Sequence, residues 1–343
     1  MSMAAAVLTR NDVVARAKTL KAIAGLGSLW GVVSHWGQIA TALVVFYIYP
    51  SWWLYVPLFL FISARQYGLA ILLHDAQHGL LHRDKSLNRL FGTWLIAAPL
   101  GTEFASSQSS HLDHHFHFGS ADRDPDFALY CFGNPSPKQS TLQIAVLFVG
   151  KLMGGKVGEM LHKSDRMAAN MGSETAATSV SFIQKAWRSG LQLWTVICVH
   201  LLLLAVLTFA FGWWGYPALW ALPLATFAAF YNDFRIFCEH SLIGRDAAAE
   251  ERMTSFVSNP VERFFFAPNH MNYHAEHHMF PYVPHRYLPE LREAVRACPE
   301  LDAQVQWRRS YVGHLIAYIR GARLQALAEH LPDAPQSAAS GRQ

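Results

Sequence analysis

The sequence predicts an all-α integral-membrane protein: four transmembrane helices in two hairpins, with a cytoplasmic helical cap. Three observations predict it. Residues 22–64 contain no Asp, Glu, Lys or Arg, and residues 189–232 again contain none. A crossing helix needs about 20 apolar residues, so each stretch fits two crossings and a tight turn. Over the whole chain only 15% of residues are charged, against about 25% in a soluble domain. The histidine-rich segments all lie outside the two charge-free stretches.

The elements follow in order. Residues 1–21 read as a basic cytoplasmic lead-in and 22–330 as a single membrane domain, with spans at 22–49, 52–73, 190–212 and 214–237. Each hairpin turn is visible. YIYPSWWLYVP and FGWWGYPALW both pair Trp-Trp with Pro, as an aromatic belt at the membrane interface does. Four buried helices of a soluble protein are the alternative, but uncharged runs of double length argue against it. Residues 87–103 are apolar and interrupted, the pattern of an interfacial or re-entrant segment. Residues 119–140 are turn-rich and read as a loop. Residues 141–170 suggest a surface-lying helix with Gly breaks, and 171–181 a polar linker. The tail at 331–343 has the composition of disorder.

Charge sets the orientation. Arg10, Arg16, Lys18 and Lys21 precede the first hairpin, and Arg65, Arg83, Lys85 and Arg89 follow it. Arg188 and Arg235 flank the second, while the two outer turns carry no cation. The positive-inside rule therefore puts both termini and the histidine clusters on the cytoplasmic side. No removable signal peptide is expected. The net charge of +4 fits contact with anionic lipid, and no basic run suggests nucleic acid. Cys131, Cys198, Cys238 and Cys298 are scattered, so neither a disulfide framework nor a thiolate metal site is indicated.

The 18 histidines carry the chemistry. His74 and His78 are spaced i, i+4. His111, His114 and His115 are spaced i, i+3, i+4, and His274, His277 and His278 repeat that spacing. On a helix such positions share one face. Eight converging imidazoles would be costly to bury unless something bound them. Neutral imidazole is a common metal ligand, and eight exceed what one tetrahedral ion takes, so two metals are expected. His240, at the end of the fourth span, is a ninth candidate. His82, His117, His270 and His285 lie beside the clusters and are expected to support them. His35, His162, His200, His314 and His330 read as structural. Imidazole suits zinc, copper, iron and nickel alike. Asp75, Asp113, Glu239 and Glu276 lie within two residues of a cluster histidine and are candidates to orient the rings. DRDPD at 122–126 is expected to cap a helix or hold a cluster through Arg123.

HxxxH, then HxxHH, then a distal HxxHH within NYHAEHHMFPYVPHRYLP resembles the integral-membrane fatty acid desaturase superfamily, which includes desaturases, hydroxylases and ketolases. The resemblance runs from about Arg65 to Leu288. It implies a non-haem di-iron site on the cytoplasmic face. The ligands would be His74, His78, His111, His114, His115, His240, His274, His277 and His278. It also implies O2 as co-substrate and attack on an unactivated C–H bond. No haem, rubredoxin or flavin motif is evident, so the electrons would come from a separate protein, a ferredoxin or similar acidic carrier docking on the basic face.

The expected activity is desaturation of a fatty acyl group linked to lipid, coenzyme A or a carrier protein. Hydroxylation, ketolation or desaturation of a specialised small metabolite on the same scaffold is the alternative. A membrane zinc hydrolase would need three or four ligands rather than nine. A non-catalytic metal-binding protein such as a transporter would place them at the bilayer midplane. An apolar groove between the spans is expected to hold the reacting tail, with Tyr67, Trp94, Phe104, Phe230 and Phe234 as candidate lining. The charge pattern makes a topological prediction. Reporter fusions at Ser51 and Gly215 should read as outside, and fusions at Asp124 and Gln343 as inside. An outside reading at Asp124 would separate the second histidine cluster from the others.

Overall fold

The computed structural model describes residues 7–22, 27–120, 122–131, 146, 149–150, 179–241 and 253–330. The surface helix expected at 141–170, most of the linker at 171–181 and the tail at 331–343 fall outside the described residues. What is described is predominantly helical, and three helices are long and apolar enough to cross a membrane.

Helix α1 (Arg10–Ala22) begins where Thr9 and Asp12 cap one another: Asp12 Oδ2 accepts from the Thr9 amide at 2.8 Å and Thr9 Oγ1 from the Asp12 amide at 3.3 Å. Its Val13, Ala17 and Leu20 are buried in one cluster with Leu288, Leu291 and Val295. The basic lead-in is therefore docked on the protein by its apolar stripe.

Helices α2 (Gly27–Ile48) and α3 (Trp52–Gln77) are the first two candidate crossings. Pro50 and Ser51 break the chain between them. Only 22% of the α2 window is buried, against 67% of the α3 window. Thus α2 keeps an outward face of Trp30, Val33, Val44 and Tyr47, while α3 is central. They approach closely because residue 68 is glycine: a Cβ there would stand 2.2 Å from His35 Cε1. His35 Nε2 in turn meets the side-chain amide of Asn269, whose Nδ2 also donates to the Gly68 carbonyl at 3.0 Å. The α2–α3 pair and the distal segment are thereby locked together. Arg65, expected to follow the hairpin, lies inside α3 and is buried, donating to Gln38 Oε1 at 3.2 Å and lying over the Phe264 ring.

Helix α4 (Lys85–Phe91) is capped by Asp84, which accepts from the Leu87 amide, and runs into a π-helical turn at Gly92–Ala97. This segment leans on α3 through Ile96 and Ala97. Helix α5 (Phe104–His117) follows. The expected loop at 119–140 instead contains a short helix, α6 (Phe127–Cys131). It forms because Asp124 accepts from the Tyr130 hydroxyl and from two backbone amides, gathering the turn around one carboxylate.

Helix α7 (Ser179–Phe211) contains the third candidate crossing, Leu193–Phe211, of which only 6% is buried. Residues 215–240 are also helical but lie outside that set of three. They pass through π-helical turns at Pro217–Ala221 and Leu224–Ala228 before α8 (Ala229–His240). Pro217 and Pro223 cannot donate to the i−4 ladder, and the register slips beside each. Helix α8 buries Asp233, Arg235 and Glu239.

The distal region wraps back around these helices. It comprises α9 (Pro260–Phe266), α10 (His274–Met279), α11 (Leu288–Arg296), α12 (Pro299–Asp302) and α13 (Tyr311–His330). Two strands, β1 (Thr254–Phe256) and β2 (Gln306–Arg308), pair in parallel with Ser255 opposite Trp307. This departs from the purely helical expectation, since three-residue runs carry no readable alternation.

Gly68→Ala should force α2 and α3 apart, a close-packing penalty of about 1–3 kcal/mol. Thermal unfolding in detergent should show a lower midpoint, partly recovered in the His35→Ala/Gly68→Ala double variant. An unchanged midpoint in Gly68→Ala would show that the approach is not tight.

A candidate metal centre of nine histidines

Each cluster is delivered by a helix that ends in the right place. Helix α3 stops just after its last turn because Gly79 takes a positive φ of 74°, letting its amide and that of Leu80 close on Ala76 and Asp75 carbonyls. Asn88 secures that end: its Oδ1 accepts from the Leu81 and His82 amides and its Nδ2 donates to the Ala76 carbonyl. His74 and His78 are left on the last turn. Gln77 and Gln108 tie α3 to α5 through bonds to Ser107 Oγ at 2.7 Å and the Gln77 carbonyl at 2.6 Å. Helix α5 then ends at Gly119, φ 78°.

The structure brings all nine predicted histidines together, in two groups. His74, His78, His111, His115 and His277 form one; His114, His240, His274 and His278 form the other. Within each group one nitrogen per ring lies within 4.8 Å of all the others. The division follows helix geometry. Positions i and i+4 are separated by about 40° around a helix and i+3 falls about 60° to the other side. On α5 the i, i+4 pair His111 and His115 joins one group and His114 crosses to the other. On α10 the pair His274 and His278 joins the second group and His277 crosses to the first. His82, His117, His270 and His285 stand outside both groups.

The arrangement suits a cation at each group. His111 Nε2 lies 2.8 Å from His78 Nε2 and 3.1 Å from His115 Nε2, and His115 Nε2 is 3.1 Å from His277 Nε2. His274 Nε2 lies 3.0 Å from His240 Nε2 and 2.9 Å from His278 Nε2. An imidazole nitrogen carries either one N–H or one in-plane lone pair. It cannot make two such hydrogen bonds at once, so these contacts cannot all be hydrogen bonds. Neither ring nitrogen of His74 has a hydrogen-bond partner although both are buried. Convergent lone pairs at these distances repel unless a shared ion accepts them. Burial also pushes imidazole pKa values down: His78 to about 4 and, with neighbouring imidazoles adding to the effect, His115 to about 3 and His111, His274, His277 and His278 well below the usual value. At neutral pH these rings are neutral, the form that binds metal.

The carboxylates behave less uniformly than expected. Glu239 Oε2 lies 3.4 Å from His274 Nδ1 and accepts from Arg235 Nη1 at 2.6 Å; its Oε1 accepts from the Tyr311 hydroxyl at 3.0 Å. Tyr311 is brought there because Glu262 caps α13, accepting from the Tyr311 and Val312 amides. Glu276 is fully buried but accepts from Ser255 Oγ, so it ties α10 to β1 and is not aimed at a cluster ring. Asp75 accepts from His285 Nδ1 at 2.5 Å and from Ser28 Oγ at 2.9 Å, binding α3 to α2 and the distal loop. Asp113 is exposed. The residue that reaches His114 Nδ1, at 2.8 Å, is Asp124. It does so directly, not through Arg123, which is exposed. The position of Asp124 in DRDPD, ten residues beyond His114, was the available signal; nothing in the sequence pointed to Tyr130.

The five candidate groove residues do not form one wall. Tyr67, Phe230 and Phe234 share an aromatic layer with Tyr231 and Phe266, where Tyr67 donates to the Phe266 carbonyl at 2.9 Å. Phe104 is buried elsewhere, packed with Ala76 and Ile96. Trp94 is 43% exposed. What they share is nearness to the same expected membrane face, which does not decide which side of α3 each one packs on.

The chain matches the family described as Fatty acid desaturase over residues 50–309. It belongs to the fatty acid desaturase family. Its relatives within that family differ in substrate. It is 27% identical to the dihydrorhizobitoxine desaturase of Bradyrhizobium elkanii, covering 68% of this chain and 65% of that protein. It is 26% identical to the zeaxanthin 4-ketolase of Chlamydomonas reinhardtii, over 78% of this chain and 52% of the relative. The beta-carotene ketolase of a Paracoccus species is 26% identical over 75% of this chain and 90% of the relative. The chain thus spans less than two thirds of the length of the first two. As in the resemblance read from its boxes, this desaturase-family chain places its histidines on the elements that the matched region contains.

Metal analysis of purified variants should separate ligands from supports. His115→Ala and His278→Ala, one from each group, should each lower bound metal. His285→Ala should keep metal per folded chain but destabilise the fold by on the order of 1–3 kcal/mol, because buried Asp75 loses its strongest partner. Unaltered metal content in His115→Ala would refute ligation by the five-histidine group.

Proposed function

We propose that the nine histidines hold two irons and that the chain is an O2-dependent membrane desaturase acting on a fatty acyl chain. The single observation that carries this reading is the division of the histidines into groups of five and four. Five imidazoles exceed tetrahedral zinc. The ligand set contains no thiolate, and a purely imidazole set suits iron. When bound, such a pair of irons would supply activated oxygen able to remove hydrogen from an unactivated C–H bond.

The chain's own residues provide the rest. Helices α3, α5, α8 and α10 fix the imidazoles in their two groups. Asp124 holds His114 by its far nitrogen, which fixes that ring's tautomer and orientation, and Glu239 lies 3.4 Å from the far nitrogen of His274. The apolar helices deliver a tail from the bilayer, sparing each methylene about 0.8 kcal/mol of exposure to water. In this reading residues 214–237 make a fourth crossing, 22–330 is one membrane domain, and both termini and the metal centre face the cytoplasm. Two electrons come from a separate carrier such as a ferredoxin, drawn to the basic face.

A second reading, oxygen insertion into a ring or small metabolite, is favoured by the ketolases among the relatives. The two are separated by the balance of atoms. Desaturation removes two hydrogens and leaves no new oxygen in the product; ketolation leaves one from O2. Membranes containing the protein should be supplied with reductant, a ferredoxin and 18O2, and acyl lipids and carotenoids analysed by mass spectrometry. New unlabelled double bonds in acyl lipid are expected. Label retained in a product would establish the second reading, and turnover without O2 would overturn both.

A further inference from the structure

The two histidine groups differ in what stands behind them. In the four-histidine group, His114 Nδ1 meets Asp124 Oδ1 at 2.8 Å and His274 Nδ1 lies 3.4 Å from Glu239 Oε2. Among the described residues, no carboxylate is paired with a ring nitrogen of His74, His78, His111, His115 or His277; the nearby Asp75 faces His285 instead. Both carboxylates are backed by a buried phenol, Tyr130 on Asp124 and Tyr311 on Glu239.

The two carboxylates are not equivalent. Glu239 Oε2 also accepts from the Arg235 guanidinium, which balances its charge. The described donors to Asp124 are the His114 ring, the Tyr130 hydroxyl and the amides of Gly119 and Asp126, with no guanidinium or ammonium among them. The Asp126 carboxylate stands 3.9 Å from His114 Nδ1. A carboxylate on the far N–H makes an imidazole a stronger donor to the ion on its other nitrogen. Each donor that the carboxylate accepts draws part of that charge away from the ring.

We propose that Asp124 orients and electronically loads the four-histidine position alone, through His114, and that Tyr130 sets how much of its charge reaches the ring. Asp124 is thus a positioning residue, and the two metal positions are unequal by construction. The inference rests on the reading that each group holds an iron.

The test uses full-length protein purified in detergent and loaded with 57Fe, read by Mössbauer spectroscopy, potentiometric titration and chelator competition. Asp124→Asn keeps an acceptor for His114 Nδ1 but removes the charge. It should weaken one iron of the two by about 10- to 100-fold, shift the spectrum of that iron only, and raise its reduction potential. Tyr130→Phe leaves Asp124 a stronger acceptor for His114, so the potential of the same iron should fall. A merely structural role would loosen the site in both variants and move the potential in the same direction. Shifts of one sign in the two variants, or equal effects on both irons, would overturn the proposal. If Asp124→Asn does not fold, the sign and selectivity of the Tyr130→Phe shift decide it alone. A folded wild-type protein that binds no iron overturns the underlying di-iron reading as well.

Discussion

Nine imidazoles packed with their ring nitrogens facing one another is the arrangement on which the rest of the structure depends. Without a shared ion it is repulsive, because Nε2 of His111, His115 and His274 each has two imidazole nitrogens within about 3 Å and only one bond to offer. It persists only if four helices are held rigidly enough that the rings cannot turn away. Much of the polar chemistry of the fold serves that end. Asn88 fixes the end of α3, Gln77 and Gln108 couple α3 to α5, and Ser255 anchors α10 through Glu276. Asp75 and His285 clamp the distal loop onto α3. These groups lie in a mostly apolar protein, where a satisfied buried polar network specifies geometry and a half-satisfied one is costly.

The apolar helices and the centre are parts of one device. Helix α3 is at once the most buried of the candidate crossings and the carrier of His74 and His78. Close approach at Gly68 sets α2 against it, and the Asn269 amide bridges both to the segment that leads into α10. The distal region is also braced from outside. The apolar stripe of α1 packs against α11, and β1 pairs with β2 directly before α13. The N-terminal helix thus supports the distal region that carries α10.

The site is also graded. One group has carboxylates on the far side of its rings, one of them charge-balanced by Arg235 and the other not. The other group has its buried ring His74 without any hydrogen-bond partner. A pair of ions placed there would sense different fields although every ligand is the same residue type.

Local rules in the sequence were enough for the elements that carry a strong periodic or compositional signal. The two charge-free runs marked four helices, of which three are long and apolar enough to cross a membrane, and the i, i+4 and i, i+3, i+4 spacings marked eight of the nine histidines in the two groups. The position of His240 at a helix end picked out the ninth. Glu239, singled out beside His240 in the sequence, stands instead 3.4 Å from the ring of His274. What depended on long-range contacts was decided only in three dimensions. Helix phase gave each histidine its group, but only the packing of α5 against α10 made the groups meet. Asp113 and Asp124 are equally plausible partners by residue type; the turn closed by Tyr130 chose Asp124 and left Asp113 exposed. Asp75 and Glu276 were drawn to His285 and Ser255, residues that are remote in the sequence. The groove candidates scattered because sequence proximity to the clusters says nothing about which side of α3 a side chain faces. Helix formation and metal-ligand spacing are properties of a few adjacent residues. Partner choice among buried polar groups is a competition among all those that the fold brings within reach.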